Sequence, residues 1–315
     1  MARLGTKSLV EASILAAIAV VLVLAGNFIP VLSMVILFFW PVPILLVHIR
    51  HGLRASVLTV VVAGLVLTLF LGPGVALSQV PMFGLAGIAM GIGVSKRYPP
   101  FRIITLAVVG GLLALALQFL VSYYLLRLNV LAEAVDMLNQ SLEQVKRMQP
   151  QNAKMVDETL KPAVEMMRRY WPALFVLTAI TTAFINYAAA RLVMGRLKYE
   201  LEPVPPFARW HISGDYLVVL VVGLALIWLE PYHKLGILSQ LGAALSLLMI
   251  YLYNIIGVSL AYHYLRRFGL SKAMAVILLV WLVPTLGGFA ALAGMYDSVA
   301  DPRGILSGDV EPQLQ

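Results

Sequence analysis

The sequence predicts an all-α fold: a polytopic integral membrane helical bundle of about nine transmembrane helices, with an external amphipathic helical hairpin. Hydrophobic residues make up 61% of the 315 residues, charged residues only 12%, and the mean hydropathy is +0.91. A soluble domain carries roughly twice that charged fraction. Apolar runs of about 18 residues or more, long enough to cross a ~30 Å hydrocarbon core as helices, recur along the chain.

Nine apolar runs are the predicted spans, and the basic residues between them predict the topology. The spans are expected at 9–26, 29–47, 53–71, 78–95, 103–126, 170–192, 215–230, 236–264 and 271–295. Lysine and arginine are concentrated in alternate connections, whereas the links 27–28 and 72–77 contain neither. Because cytoplasmic loops are enriched in these residues, we expect a multi-pass protein of the bacterial cytoplasmic membrane. Its N-terminus is expected in the cytoplasm and its C-terminus outside the cytoplasm.

These spans divide the chain into four predicted regions. Residues 1–128 are expected to form an N-terminal membrane bundle of five spans, and residues 170–296 a C-terminal bundle of four. Residues 129–169 are expected to form an extracytoplasmic amphipathic helical segment. Residues 297–315 are expected to form an external tail.

The segment 129–169 differs from the rest of the chain because it is rich in charge. Apolar residues recur in it at alternating spacings of four and three, which is typical of one apolar stripe on an amphipathic helix. They are Leu131, Val135, Leu138, Leu142 and Val145. Pro150 and Pro162 predict two helices, near 130–148 and 152–168. The segment is interpreted as a hairpin packed on its own bundle, with a lid or a partner-docking arm as alternatives.

Five amide side chains inside the spans are the candidate substrate-binding residues, because polar groups are costly at membrane depth and mark functional sites there. They are Gln79, Gln118, Asn186, Gln240 and Asn254. The three glutamines are expected at a similar outer depth, lining a cavity open to the outside, with the two asparagines deeper. The alternative is that each amide makes a structural hydrogen bond between helices, worth ~0.6 kcal/mol on average.

Small residues predict two closely packed helix faces. The face on the first span is expected to dock a helix of a partner membrane subunit, with a helix of the same chain as the alternative, and it comprises Ala12, Ser13, Ala16 and Ala17. The face on the fourth span is expected to pack against neighbouring helices of the same chain, and it comprises Gly87, Ala89, Gly91 and Gly93. Glu11, just before the first strip, is interpreted as an interfacial acid that stabilises the positive end of the helix dipole.

The chain closes with AGMYDSVADPRG, a motif that contains Asp297, Asp301 and Arg303. The two aspartates are four residues apart and share a face if the helix continues. The motif is interpreted as capping and a salt bridge at a helix end. An external contact with a cation or a partner is the alternative.

The sequence argues against several classes of chemistry. It contains no cysteine, which excludes disulfides and thiolate metal sites. Its histidines are scattered, and no carboxylate stands beside His48 and His51 in the sequence. It has no P-loop, HExxH or GxSxG motif. We therefore expect no enzymatic activity, no metal and no cofactor. The basic residues flank apolar runs, so the expected partner is the lipid bilayer and not nucleic acid.

The order of these features resembles the YybS-like family of uncharacterised bacterial polytopic membrane proteins. The resemblance rests on the N-terminal spans, the charged external segment, the run YLYNIIGVSLAYHYLRRFGLSKAMAVILLVWLVP and the closing DSVADPR. It covers nearly the whole chain and implies a class of protein without a mechanism.

The N-terminal half is also distantly similar to the substrate-binding membrane subunits, or S components, of energy-coupling-factor vitamin transporters. Those subunits carry an A-x-x-x-A motif on their first helix, which here would be Ala12 and Ala16. This resemblance implies a small molecule bound from outside and a coupling subunit on the first helix. We therefore predict a small-molecule-binding or transport-related membrane subunit. The alternative is a non-transporting envelope scaffold that binds partner membrane proteins.

Overall fold

The structure is a computed structural model that describes residues 6–124, 127, 129–148, 151, 153–233, 235–286 and 288–305. The side chains of 30–32, 34–35, 130–131, 153, 156–157, 159–161, 163, 168 and 283–286 lie outside this description. Every regular element in the described part of the chain is helical, which confirms the predicted all-α class.

Long helices make up most of the described chain. They are α1 Thr6–Phe28, α2 Pro30–Phe39, α3 Val42–Ser95, α4 Pro100–Tyr124, α5 Val130–Met148, α6 Ala153–Arg196, α7 Leu217–His233, α8 Ile237–Arg267, α9 Lys272–Leu286 and α10 Gly288–Ala300. Two short 3-10 turns, Phe207–Arg209 and Gly214–Tyr216, precede α7.

Six stretches in the described residues are long and apolar enough to cross a membrane, in agreement with the predicted multi-pass membrane protein. They are Thr6–Phe28, Ile36–Ser95, Pro100–Tyr124, Arg169–Arg196, Gly214–His233 and Ile237–Arg267. The expected count of nine is not reproduced. One reason is that Ile36–Ser95 is 60 residues long and is counted once.

Helix α3 is broken at two glycines. Gly52 has φ 79° and ψ −176°, and Gly72 has φ 80° and ψ 162°. Positive φ values of this kind are strained for residues with a Cβ atom but not for glycine. The breaks divide α3 into three helical segments, 42–51, 53–71 and 73–95.

The three segments of α3 fold back on one another. A Cβ added at Gly84 would lie 2.6 Å from Val60 Cγ1, and one at Gly64 would lie 3.2 Å from Val80 Cγ1, so the second and third segments run antiparallel. A Cβ at Gly91 would lie 2.5 Å from His48 Cβ. The equivalent contact one turn earlier is between Gly87 and Ile44, so the first and third segments run parallel.

The chain forms two compact units. Unit 1 comprises residues 1–160 and 175–204, and unit 2 comprises residues 161–174 and 205–315. Residues 175–192 of the sixth predicted span therefore group with the N-terminal spans, whereas the sequence assigned that span to the C-terminal bundle. In unit 1 a core forms around Ala19 and Val23 of α1, packed with Ile44 and Phe83 of α3.

In unit 2, α7 and α8 form an antiparallel pair. A Cβ at Gly223 would lie 2.6 Å from Ser246 Oγ, and a Cβ at Gly242 would lie 2.6 Å from Leu226 Cβ, so the residue numbers rise along α7 as they fall along α8. Helix α10 also packs against α8, with Tyr253 and Ala291 in a shared core.

The charged segment is helical, with one difference from the prediction. Helix α5 has the predicted bounds, 130–148, and it buries Val135 and Leu142 of the apolar stripe. The second predicted helix, 152–168, is not separate, because α6 continues through Pro162 and Pro172 to Arg196. Pro150, the side chain of Leu131 and the tail beyond Ile305 lie outside the described residues.

Candidate ligand-binding site

A pocket of about 380 Å³ opens in unit 1 between the end of α1, helix α2 and the start of the third segment of α3. Its lining residues are Val23, Gly26, Asn27, Ser33, Ile36, Leu37, Trp40 and Gln79. None of these described lining residues carries a charge. The pocket lies at the end of α1 that the sequence predicts to face outside. We call it the Asn27–Gln79 pocket.

Two amides face each other at this pocket. Asn27 Nδ2 donates a hydrogen bond to Gln79 Oε1 at 2.9 Å, and Gln79 Nε2 donates one to Asn27 Oδ1 at 3.1 Å. Asn27 Nδ2 also donates to the carbonyl oxygen of Val23 at 2.8 Å, which fixes the orientation of its side chain. Each amide offers both a donor and an acceptor. The pair can therefore exchange its mutual bonds for bonds to a ligand that has an adjacent N–H and C=O.

The inner wall of the pocket is aromatic and held from behind. The ring of Trp40 packs against Phe83 with centroids 5.8 Å apart, and Phe83 is completely buried. Asn186 is also buried, and with its side-chain amide turned so that the nitrogen faces the nearby acceptors it donates to the carbonyl oxygens of Phe38 at 3.1 Å and Leu37 at 3.2 Å. The last carbonyls of a helix have no partner within the helix. Asn186 therefore fixes the end of α2, which forms one wall of the pocket.

The other predicted amides are placed elsewhere. Gln118 is half-buried on α4 and is not part of this pocket's lining. Gln240 and Asn254 belong to unit 2, where Gln240 is exposed. Asn254 Nδ2 donates to the carbonyl oxygen of Ile250 in its own helix at 3.0 Å. Of the five candidates, Gln79 lines the pocket and Asn186 supports its wall.

Asn27 is the residue that the sequence analysis missed. It lies in the link 27–28, and Gln79 lies at the start of the fourth predicted span, just after the link 72–77; neither link contains lysine or arginine. The sequence therefore did contain a signal for this pair, namely two amides at the same predicted depth in the membrane.

The small-residue strip of α1 is only partly exposed. Ala16 is 5% exposed and continues into Ala19 and Val20, which pack inside unit 1. Ser13 and Ala17 are exposed, and the hydroxyl of Ser13 donates to the carbonyl oxygen of Leu9. Ala12 is half-buried. The chain's own helices thus cover the Ala16 side of the strip and leave the Ser13–Ala17 side uncovered.

Glu11 does not act on the helix dipole as interpreted from the sequence, and that interpretation is wrong. Helix α1 begins at Thr6 and has no acid in its first turn, to which the dipole effect is confined. Instead, Glu11 Oε2 lies 2.9 Å from His51 Nε2 and 3.6 Å from Arg50 Nη1. His51 therefore does have a carboxylate beside it, from a residue 40 positions away.

The glycine face of the fourth predicted span lies against neighbouring helices. A Cβ at Gly87 would lie 2.7 Å from the carbonyl oxygen of Pro41, and one at Gly93 would lie 3.0 Å from Ile103 Cγ1. Gly91 touches His48 as described above. Ala89 faces Gly110 of α4, where an added Cβ would lie 3.0 Å from the Ala89 methyl group.

Unit 2 contains a buried polar cluster centred on Arg303. Arg303 Nε donates to Asp297 Oδ1 at 2.8 Å, and Nη2 donates to Asp297 Oδ2. Nη1 donates to the carbonyl oxygen of Ala208 at 2.7 Å and to Ser259 Oγ at 2.8 Å, while Nη2 also donates to the carbonyl oxygen of Trp210 at 2.7 Å. All five N–H groups of the guanidinium are therefore used.

His211 contacts the ion pair of this cluster, and Asp301 closes the turn that leads to Arg303 and Ile305. His211 Nδ1 lies 3.2 Å from Asp297 Oδ2. Asp301 Oδ1 accepts a hydrogen bond from the backbone N–H of Ile305 at 2.9 Å, which closes the turn after α10. The terminal motif thus combines an ion pair, Asp297 with Arg303, and a turn, and the ion pair is buried. His211 and Ser259 gave no signal in the sequence.

The Arg303 cluster bears on the predicted topology. It joins Arg303 to Ala208 and Trp210, and a Cβ at Gly214 would lie 3.0 Å from the carbonyl oxygen of Ser298. Groups in hydrogen-bonding contact cannot lie on opposite sides of a ~30 Å hydrocarbon core. The sequence predicted a cytoplasmic link between spans six and seven and an external C-terminal end. These two predictions cannot both be right.

Comparison with known proteins gives a family without a known activity. The family described as "Predicted membrane protein (DUF2232)" matches residues 17–298. The "Uncharacterized protein YybS" of Bacillus subtilis (strain 168) is 26% identical over 280 residues, covering 87% of this chain and 90% of that protein. No solved structure matches the chain.

Proposed function

We propose, for a chain that belongs to the DUF2232 family of predicted membrane proteins, that it is a membrane subunit which binds an uncharged small molecule in the Asn27–Gln79 pocket. The single observation that carries this proposal is the reciprocal amide pair beside Trp40 in a pocket lined without charge. Ligand pockets characteristically combine an apolar lining with a few polar groups that fix orientation.

The chemistry of the pocket defines the ligand class. A charged ligand would be desolvated without an opposite charge in the lining, which is costly. A flat apolar ring can stack on Trp40, and an adjacent N–H and C=O on that ring can bond to Asn27 and Gln79. The pocket would admit this ligand from outside if the predicted orientation of α1 is correct. The resemblance to energy-coupling-factor S components remains a prediction that agrees with such a role.

This proposal is tested by ligand-dependent thermal stability. A metabolite library of uncharged heterocycles is expected to contain compounds that raise the unfolding midpoint of the purified protein, since a ligand at ~100 times its Kd stabilises by about 2.7 kcal/mol. Gln79→Leu is expected to weaken that binding roughly fivefold, because a lost hydrogen bond costs about 1 kcal/mol.

Gln118→Leu is the matched control, because it is the same substitution on a helix outside the pocket lining, and it should leave binding unchanged. If both variants weaken binding equally, the ligand binds elsewhere and the assignment of the pocket fails. If no compound stabilises the protein and a membrane partner co-purifies with it, the second function below is favoured.

The second candidate function is a non-transporting envelope scaffold. The observation that favours it is the uncovered Ser13–Ala17 side of α1, which is flanked by Ile14 at 56% exposure and Ile18 at 45%. A partner helix could approach closely at these small residues. If the protein is a transport subunit, the same strip would contact a coupling subunit. The strip alone therefore does not distinguish a transport subunit from a scaffold.

We also propose a topology of eight crossings with both ends in the cytoplasm. The first and third segments of α3 both run antiparallel to the second, so the 60-residue stretch counts as three crossings, which turns six candidate spans into eight. Helices α9 and α10 would then enter the membrane and return to the side from which they came. The contact of Arg303 with Ala208 supports this arrangement. Helix α5 stays on the outer side, as the sequence predicts.

Because the chain contains no cysteine, a single introduced cysteine reports this topology cleanly. Gln315→Cys is expected to react with a membrane-impermeant maleimide in inside-out vesicles and to be protected in right-side-out vesicles. Lys198→Cys should behave in the same way, and Ser141→Cys on α5 in the opposite way. Labelling of Gln315→Cys in right-side-out vesicles only would restore the nine-span topology.

A further inference from the structure

Unit 2 has a second cleft, of about 520 Å³, which is separate from the Asn27–Gln79 pocket. It lies between the end of α8, the start of α9 and the 3-10 turn Phe207–Arg209. Arg266 and Lys272 are its charged lining residues. Val258 and Leu279 belong to its apolar wall, and none of the described lining residues is acidic.

The two cations of this cleft are not neutralised within the described part of the chain. Arg266 Nη1 donates to the carbonyl oxygen of Leu270 at 2.6 Å, which holds the guanidinium at the α8–α9 connection, and its other N–H groups remain available. Lys272 is exposed at the first position of α9. Neither forms an ion pair with a described acidic residue. Two cations at one cleft without an acid select for an anionic ligand.

The remainder of the cleft is suited to a hydrocarbon chain. Val276 and Val280 line it and are 50% and 70% exposed, and Ile277 beside them is 67% exposed. A soluble anion such as free phosphate would gain nothing from this surface. An amphiphile would bury its chain there, at about 25 cal/mol for each Å² of apolar area removed from water.

The position of the cleft along the chain identifies the source of such an amphiphile. The α8–α9 connection contains Arg266, Arg267 and Lys272 and is predicted to be cytoplasmic. Anionic phospholipids attract basic residues at the cytoplasmic leaflet, and basic clefts between membrane helices bind their headgroups. We infer that this cleft binds one anionic phospholipid, with its phosphate between Arg266 and Lys272 and its acyl chain along Val276 and Val280.

Native mass spectrometry of the full-length protein tests this inference. The protein is released from vesicles of equal parts phosphatidylglycerol and phosphatidylcholine. Wild type is expected to retain one phosphatidylglycerol at least tenfold more often than phosphatidylcholine. Arg266→Gln combined with Lys272→Gln should remove that preference, and Val276→Ser should reduce retention severalfold while keeping the preference.

Two further arms make the result decisive. Arg54→Gln combined with Lys198→Gln removes the same charge from exposed positions outside the cleft and should leave retention unchanged. Millimolar inorganic phosphate should not displace the lipid. The inference is overturned if both charge variants lose retention equally, if phosphate competes, or if the cleft variants retain phosphatidylglycerol as wild type does. Elution as a single monodisperse species shows that each variant is folded.

Discussion

Replacing Arg303 with methionine is expected to lower the thermal unfolding midpoint of the purified protein by roughly 10 °C, because breaking a buried ion pair costs about 3–5 kcal/mol. Asp297 is 0% exposed and Arg303 7% exposed, so water cannot replace the lost partner. The variant would leave the Asp297 carboxylate buried without its cation. It would also remove the donors to the carbonyl oxygens of Ala208 and Trp210.

The effect depends on an uncompensated charge, and a double variant separates that cause from lost packing. Asp297→Asn combined with Arg303→Met removes both charges and should recover a large part of the lost stability, since the effects of substitutions at residues in contact are not additive. Arg303→Lys keeps the charge but loses the planar fork that bonds both carboxylate oxygens, so an intermediate midpoint is expected.

Arg54→Met is the matched control, because Arg54 is exposed, and its midpoint should lie within a few degrees of wild type. Differential scanning fluorimetry in detergent measures all four variants. Equal midpoints for Arg303→Met and Arg54→Met would show that the Arg303 cluster contributes little to stability.

Local features of the fold were predictable from the sequence because they depend on residues close together in the chain. The bounds of α5 follow from its apolar stripe, and the helical class follows from long apolar runs. Gly87 and Gly91 were predicted to pack closely, since a glycine in an apolar helix offers backbone for contact whatever helix lies against it.

Pairs that are distant in sequence were not predictable. Glu11 and His51 are separated by 40 positions, Asn27 and Gln79 by 52, and Arg303 and Ala208 by 95. Hydropathy and charge assign each residue a depth and a side, but they do not say which helices are neighbours. The candidate site was therefore found only in part, with Gln79 recognised and its partner Asn27 missed.

The C-terminal apolar run shows the same limit. Residues 271–295 are long enough for a crossing, and the chain contains Pro284 and Gly288 near the point where α9 ends and α10 begins. Length alone does not say whether a broken run continues across the membrane or returns. That information lies in the hydrogen bonds from Arg303 to the segment before α7.

The contact between α8 and α10 gives the other large expected effect. A Cβ at Gly257 would overlap the carbonyl oxygen of Ala290, and a Cβ at Gly294 would overlap that of Tyr253. The obstructing atoms are backbone, so no side chain can move aside and the two helices must separate. Gly257→Ala is therefore expected to cost about 3 kcal/mol, the upper part of the range for overpacked sites, and to open the core formed by Leu220, Tyr253 and Ala291.

Gly288→Ala, on the same helix as Gly294, is the matched control, because a Cβ there meets nothing within 4 Å and its φ is not positive. The midpoint of this variant should equal that of wild type or exceed it slightly, since alanine favours helix by up to ~1 kcal/mol over glycine. Size-exclusion chromatography after heating measures the fraction of protein that stays monodisperse, and this fraction distinguishes Gly257→Ala from Gly288→Ala. Gly257→Ala and Gly294→Ala should fail at a similar, lower temperature, because both variants separate the same pair of helices. A Gly257→Ala protein as heat-resistant as Gly288→Ala would mean that α8 and α10 do not make this contact in the membrane.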